Sequence, residues 1–529
     1  MNSNLSKIAE DSTRGGFFLT LGHAASTIIS AASLLIVARI LGPEQYGLYS
    51  ISTVIPSLLL LFIDPGINQG LIKYTASLKV KGEEHHAAKL LTHALAFKIL
   101  LGLAATFLCF ALSNQLATHI LNRPDLTPYI QAASTLIILQ TIYTTVNSSL
   151  VGLDKTEYNA FITCTQAIVK ALASSLLVIL GLSIIGALTG YIAGSLAASL
   201  IAILILYRVH KQLYNSKDTT NTKFSGNIRL LVRYGFPLYI SALLAGFILQ
   251  YQNLLLATFT SNEDIGNYRA TMNFTTLVNI LPASIVTALL STFSKLDHKS
   301  EEANRFFRLS IKYASMLVLP TITILALYSK EIVEIVYGEA YLSAPFFLTL
   351  CTLQYYLIGS GSLILDSLFN GLGDTKTTLK IHLVSSSAFI IAAPATTWIL
   401  KAPGLIVATF AATLLGNLCG LSIAKSKFKV QIETGTVARI YLSTLFSASL
   451  ILLLNIVLPL TGLPRMILGG SIYLAAYLLL TPLMKVISQP EMEGIKAVLH
   501  KVRPLETIAK PLIHLEETIL TRLSASPKT

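Results

Sequence analysis

Apolar residues in this chain come in long unbroken runs. Fourteen are apparent, at roughly 17–40, 47–68, 90–112, 130–151, 159–180, 184–207, 236–259, 268–293, 311–328, 346–369, 379–400, 404–424, 440–460 and 465–484. A helix needs about 20 apolar residues to cross the hydrocarbon of a bilayer, and these runs have that length. A β-barrel would alternate polar and apolar positions over segments of about 10 residues, and no such alternation is present. The pattern predicts an all-α polytopic membrane protein with about 14 transmembrane helices. Only Gly181 to Ser183 separate the fifth and sixth runs, so a tight hairpin is expected there. Pro56, Pro65, Pro282, Pro320 and Pro394 fall inside runs and Pro237 starts one. Such kinks are tolerated in membranes where neighbours satisfy the freed backbone groups.

Composition agrees, with 53% hydrophobic and 12% charged residues, against roughly 25% charged in a soluble domain. The net charge of +13 invites a nucleic-acid reading, but its distribution argues against one. With the N-terminus placed inside, 31 of the 39 Lys and Arg fall in inner segments and six in outer ones: Arg39, Arg123, Arg269, Lys330, Lys401 and Arg465. Lys98 and Lys170 remain within runs. This is the positive-inside bias of a membrane protein, with both termini cytosolic. The polar first 15 or so residues carry no cleavable signal pattern, so the first run is expected to act as an uncleaved anchor. Cys109, Cys164, Cys351 and Cys419 all lie in apolar runs, without disulfide or metal-ligand spacing. They read as small packing residues.

The chain also repeats itself. LGPEQYGLY (41–49) returns as TSNEDIGNY (260–268), which sets Gly47 against Gly266 at an offset of 219 residues. GLDKT from Gly152 returns as GLGDTK from Gly371 at the same offset, and the segment around Gly186 returns around Gly404 at 218. Ordered matches at one offset indicate a duplication. The expected organisation is an N-lobe over 1–207 with helices 1–6, a cytosolic connection over 208–235 and a C-lobe over 236–424 with helices 7–12. Two additional helices over 425–484 and a cytosolic tail over 485–529, amphipathic or disordered, follow. Six spans per lobe is even, so the lobes should be related by a pseudo-twofold along the membrane normal, with a cavity between them near the midplane.

Four segments then carry a resemblance: ARILGPEQYGLY (38–49), FIDPGINQGLIKY (62–74), VYGEAYLSA (336–344) and NGLGDTKT (370–377). In this order, over about residues 15–425, they resemble the polysaccharide transporter family. That family shares a superfamily with multidrug and toxin extruders and lipid II flippases. The resemblance implies a flippase carrying polyprenyl-(di)phosphate-linked oligosaccharide from the cytosolic to the outer leaflet, for assembly of cell-surface polysaccharide or glycan. Arg39 is part of the family hallmark; substrate contact and interfacial anchoring both remain open for it.

An ionisable group within a span is costly and marks a candidate site. Lys170 lies about 12 residues into the fifth run, ~18 Å at 1.5 Å per residue, and so near the midplane. Thr163, Gln166, Lys170 and Ser174 form one polar stripe expected to face a wet cavity. Lys98 lies in the third run beside Ala94, Gly102 and Ala105. Two ammonium groups suit an anionic diphosphate; the simpler alternative is that each lysine snorkels to the inner headgroups. Asp64 and Asp366 are candidates for ion coupling or gating, as a proton or sodium relay or as gate partners of the lysines, or else interfacial carboxylates capping a helix break. Glu44 and Glu263 occupy equivalent outer turns and could gate with Arg39 or Arg269, or could be solvated loop charges. Gln250, Asn253 and Asn279, with Gln166, are amides suited to sugar hydroxyls, or to bonding between helices. His23 and His382 read as packing residues, and His85–His86 lacks the partners of a metal site.

The function expected is alternating access coupled to an ion gradient or the membrane potential, with no covalent chemistry and no cofactor. No GxxxxGK[ST] loop is present, so direct ATP use is not expected. The alternative is an ion-coupled small-molecule extruder of the same superfamily; against it, the deepest charges are lysines. A glycan polymerase or ligase is a weaker reading, because the outer connections are short. Expected partners are the polyprenyl-diphosphate oligosaccharide and membrane lipids. Cytosolic glycosyltransferases and a polysaccharide polymerase are candidate partners. A monomer in the plasma or inner membrane is expected, without nucleic acid.

Overall fold

A computed structural model describes residues 2–214, 223–278, 285–286, 289–290, 292–295, 301–457 and 460–487. Among them the secondary structure is helical, without strands. The chain divides after Ala270 into two compact units.

The first unit begins with α1 (Asn2–Ser52), α2 (Val54–Ile63), α3 (Ile67–Val80), α4 (Glu84–Ala111) and the short α5 (Ser113–Gln115). It continues with α6 (Thr127–Gly152), α7 (Thr156–Leu177), α8 (Ser183–Tyr214) and α9 (Phe224–Phe259). The helix α10 (Asn262–Val278) starts in this unit and ends in the second. Gly42 interrupts α1 at φ 72°, immediately before Pro43. The expected hairpin between α7 and α8 forms through a π-helical turn at Val178–Leu182, with Gly181 at φ 86°.

Gly190 and Gly194, four residues apart on α8, let that helix lie against the α7 backbone. A methyl on Gly190 would fall 2.2 Å from the Ser174 nitrogen, and one on Gly194 would fall 2.7 Å from the Gln166 carbonyl oxygen. Small residues at this spacing drive helix association in membranes. Ser174 is buried in the seam and donates to the Ala187 carbonyl. The polar stripe expected along α7 therefore splits: Ser174 faces α8 and not a cavity, because the glycine seam draws that side of the helix against its neighbour.

The second unit holds α11 (Glu301–Leu327), α12 (Ser329–Tyr337), α13 (Ala344–Thr352), α14 (Leu365–Gly371), α15 (Thr375–Phe428), α16 (Thr434–Val457) and α17 (Gly462–Leu483). A 3-10 stretch, Leu353–Ser360, and Gly361 at φ 87° separate α13 from α14. The 54 residues of α15 are a hairpin broken at Lys401. Gly416 packs on Ser385 and Gly420 on Ile381, which brings its two limbs side by side. Phe293, Phe307, Ile311, Ile358, Leu368 and Phe369 form the heart of this unit's core. Arg465 of α17 reaches buried Glu331 of α12 at 2.8 Å.

Two glycines of the repeated segments make similar close contacts. Gly152 closes on Thr75 and Ile72, while Gly371 closes on Phe293, Leu290 and Ser294. Ser294 lies 219 residues beyond Thr75, as Gly371 does beyond Gly152.

Among the described residues, eight helical stretches are long and apolar enough to cross a membrane, or nine if Ala344–Ser360 and Leu365–Gly371, bent by 49°, make one span. Three of them, Phe18–Ile63, Thr156–Lys211 and Thr375–Phe428, are 46, 56 and 54 residues long. Each is about twice the length of one crossing and contains a break at positive φ. The protein is thus a polytopic helical membrane protein, consistent with fourteen runs. The eighth run and the tail lie partly outside the described residues. Many leucines, isoleucines and phenylalanines are exposed, such as Phe107, Leu172, Ile391 and Ile456, as a lipid-facing surface requires.

Replacing Gly190 with leucine should destabilise the α7–α8 seam by ~1–3 kcal/mol, read as a lower melting temperature in detergent. Gly435→Ala, where a methyl meets nothing within 4 Å, should not lower it.

Asp374 supplies a pH prediction. Burial alone would raise its carboxyl, but hydrogen bonds from Lys427 at 2.7 Å and Thr377 at 2.6 Å outweigh burial and hold it below the usual carboxylate range. A carboxyl depressed by folding contributes stability above its unfolded pKa, and that contribution is lost as pH falls through the folded one. The melting temperature should therefore drop below about pH 4, and Lys427→Met should show a smaller drop across that range.

Candidate functional site

Lys170 sits on α7 with its Nζ 4.0 Å from the centre of the Tyr191 ring of α8, a cation–π contact. The Tyr191 hydroxyl accepts a 3.0 Å bond from Gln140 Nε2 of α6. Gly194 packs on the Lys170 Cβ, which sets where the lysine leaves its helix. Among the described residues no carboxylate pairs with Lys170. Gln166, one turn earlier, is half-buried. Farther along α7, Thr163 accepts from Asn147 at 3.5 Å.

Lys98 is held differently. It is 2% exposed, so it does not snorkel. Its Nζ donates to Asn68 Oδ1 at 2.9 Å and lies 3.6 Å from Asp64 Oδ1. Asp64 follows α2 at the Pro65–Gly66 break, and its Oδ1 accepts from the Asn68 backbone N–H at 3.1 Å. The carboxylate thus caps α3 and faces the buried lysine at once. The two lysines have different partners.

A third cluster runs from α9 to α10. Asn253 donates to Gln250 Oε1 at 3.1 Å and accepts from Arg269 Nη2 at 2.7 Å. The Arg269 Nε–H is buried without a partner. Sequence reasoning placed Arg269 among outer charges; the helical phase of α10 turns it inward to Asn253. Glu44 and Glu263 are both exposed, as is Arg39. Nearby, Gly47 and Gly266 make reciprocal contacts. A methyl on Gly47 would lie 1.9 Å from the Asn262 oxygen, and one on Gly266 would lie 1.8 Å from the Pro43 oxygen. Arg123 carried no signal in the sequence beyond its charge, yet it donates to the Ala257 carbonyl at 2.8 Å and to the Thr260 carbonyl. It caps the C-terminal end of α9.

In the second unit, Asp366 lies in the first turn of α14, just past the Gly361 break, and its Oδ2 is 3.3 Å from His382 Nε2. His382 has an acidic partner that spacing along the chain did not reveal, because the two residues sit on different helices. Tyr441 of α16 donates to the Tyr356 carbonyl and accepts from the Gly359 N–H, supporting the broken backbone. Cavities of about 470 and 420 Å³ flank this tyrosine pair, the first also lined by Lys425 and the second by Thr323 and Thr349. Asn273 donates to the Tyr337 hydroxyl at 3.1 Å. Asn279 lies outside the described residues. Among the described residues no group of three His, Cys, Asp or Glu is placed to hold a metal ion.

Known proteins resemble this chain in sequence and fold. The family described as "Polysaccharide biosynthesis protein" matches residues 36–345. A Shigella flexneri protein described as an O-antigen transporter is 23% identical over 379 residues, covering 68% of this chain and 85% of that one. Among solved structures, the lipid II flippase MurJ in an inward closed conformation superposes with a TM-score of 0.67 at 16% identity, over 88% of this chain and 98% of that one. An inward-facing multidrug resistance MATE family transporter of the MOP superfamily gives 0.56 at 15% identity, over 76% and 94%. At these identities the two structures establish a shared fold. The chain belongs to the polysaccharide biosynthesis protein family and shares its fold with the MurJ and MATE structures.

Proposed function

We propose that this protein is a flippase that moves polyprenyl-(di)phosphate-linked oligosaccharide from the cytosolic to the outer leaflet of the cell membrane. Two six-helix lobes, 1–207 and 236–424, alternate access to a cavity between them, and 425–484 adds two helices. Both termini lie in the cytosol. The observation that carries this reading is Lys170, a membrane-embedded ammonium that rests on an aromatic ring and that no carboxylate among the described residues neutralises. A cation kept uncompensated in a low-dielectric setting attracts a diphosphate far more strongly than it would in water. Gln140 and Gln166 lie close to it along the helices and suit sugar hydroxyls. Arg269, with its unpartnered Nε–H, is a second cation able to contact the anionic linkage. Arg39 at the outer end of its span suits the outer mouth.

Transport needs an energy source, and an ion gradient or the membrane potential supplies it. The Asp366–His382 pair, with Asp366 just past the break between α13 and α14, is the ion-coupling candidate, since it joins a carboxylate to an imidazole able to take up and release a proton. The deepest charges being cationic favours an anionic cargo over the cationic compounds that an extruder with acidic cavities would select.

The test is leaflet translocation in proteoliposomes with a fluorescent polyprenyl-diphosphate oligosaccharide, under imposed proton and sodium gradients and potentials. Lys170→Ala should slow translocation at least tenfold, equivalent to ~1.4 kcal/mol. Lys170→Arg should keep part of the rate. Translocation by Lys170→Ala at the wild-type rate would refute the assignment. His382→Ala should flatten the dependence on the imposed gradient and leave downhill exchange intact.

A further inference from the structure

Lys98 and Lys170 are both ammonium groups in the membrane, and the first unit treats them in opposite ways. Lys98 is sealed, bonded to Asn68 and faced by Asp64. A group so buried and already neutralised offers an incoming phosphate little free charge and no approach. What it does hold is the break between α2 and α3, since both of its partners belong to the five residues Asp64–Asn68.

That break bears directly on α9. The backbones meet at Gly66 and Gly235: a methyl on Gly235 would fall 1.8 Å from the Gly66 oxygen, and Gly66 itself, at φ 84°, lies as close to the Gly235 carbonyl. One turn along α3, Gly70 rests on the Leu231 backbone. Asp64 also interacts electrostatically with Tyr239 of α9, and Pro237 lies within that helix between the contact and Tyr239. This contact lies at the end of the helices that the lysine and arginine distribution assigns to the cytosol. No side chain cushions it, so a small displacement of the break must part the two backbones.

We propose that Lys98 is a positioning residue: through Asp64 and Asn68 it latches the α2–α3 break against α9, and so sets how readily the cytosolic ends of α3 and α9 separate. This rests on the transport reading for its purpose but not for its physics. Removing the Asp64 charge leaves Lys98 buried and uncompensated, which is strongly destabilising; removing Lys98 leaves Asp64, 25% exposed, without its cation; and removing both is milder than either. The single substitutions should therefore open the contact, and the double substitution should restore it.

The experiment is a spin-label distance measurement between cysteines placed at exposed Lys81 and Arg229, in a chain whose four native cysteines are replaced by alanine. Lys98→Met and Asp64→Asn should each raise the long-distance population at least threefold over the parent. The double variant should lie nearer the parent than either single one, and Lys98→Arg should behave as the parent. Single variants with the parent's distribution, or a double variant whose opening is the sum of the two, would overturn the latch. Should Lys98→Met fail to fold, Lys98→Gln with Asp64→Asn completes the same cycle. Calorimetric titration with inorganic diphosphate separates the two roles. Lys98→Met should bind it within twofold of the parent, and a tenfold loss would make Lys98 a cargo ligand instead. A parent that binds no diphosphate would count against the diphosphate cargo and leave the distance result standing.

Discussion

Lipid tails are as apolar as leucine, so helices in a bilayer gain little by hiding apolar faces from their surroundings, and association rests on how closely backbones can approach. This constraint runs through the molecule. Gly190 and Gly194 seat α8 on α7, Gly152 seats α6 on α3, Gly371 repeats that seat in the second unit, and Gly416 and Gly420 zip the two limbs of α15. At Gly47 with Gly266, and at Gly66 with Gly235, the contact is backbone on backbone. The first of these joins copies of one repeated segment, so duplication supplied both faces of the contact at once.

Close seams decide where polar groups go. The Gly194 contact sets the exit of Lys170 toward the Tyr191 ring, while the Gly190 contact removes Ser174 from the same polar stripe. Breaks in the helices do the complementary work. At Asp64–Gly66 and at Ser360–Gly361 the helices lose backbone bonds, and side chains supply replacements: Asp64 caps α3, and Tyr441 bridges Tyr356 and Gly359. The tyrosine comes from α16, so a helix outside the duplicated portion stabilises an irregular part of it. Such irregular backbone is tolerated at membrane depth where protein surrounds it.

Charge follows the same economy. Buried Glu331 meets Arg465, and Lys98 meets Asp64, as burial demands. Lys170 departs from this rule, with an aromatic face where others have a carboxylate. Arg269 departs from it too, held by the Asn253 amide and not by a carboxylate.

Membrane class and the approximate number of spans were legible in the residues, because both depend on local composition. The hairpin at Gly181 was legible for the same reason. Asp64 was a candidate partner for the lysines, though not for Lys98 in particular; beyond reach were the other partners, that His382 faces Asp366, that Arg269 turns to Asn253 and that Arg123 caps α9. Each joins residues on different helices, where rotation about the helix axis decides which side chains meet, and hydrophobic runs as uniform as these leave that rotation unspecified. The sequence by itself determined which segments enter the membrane and which charges they carry with them. Only the tertiary structure, by locking helix rotation through its glycine seams, decided which side chains those charges meet.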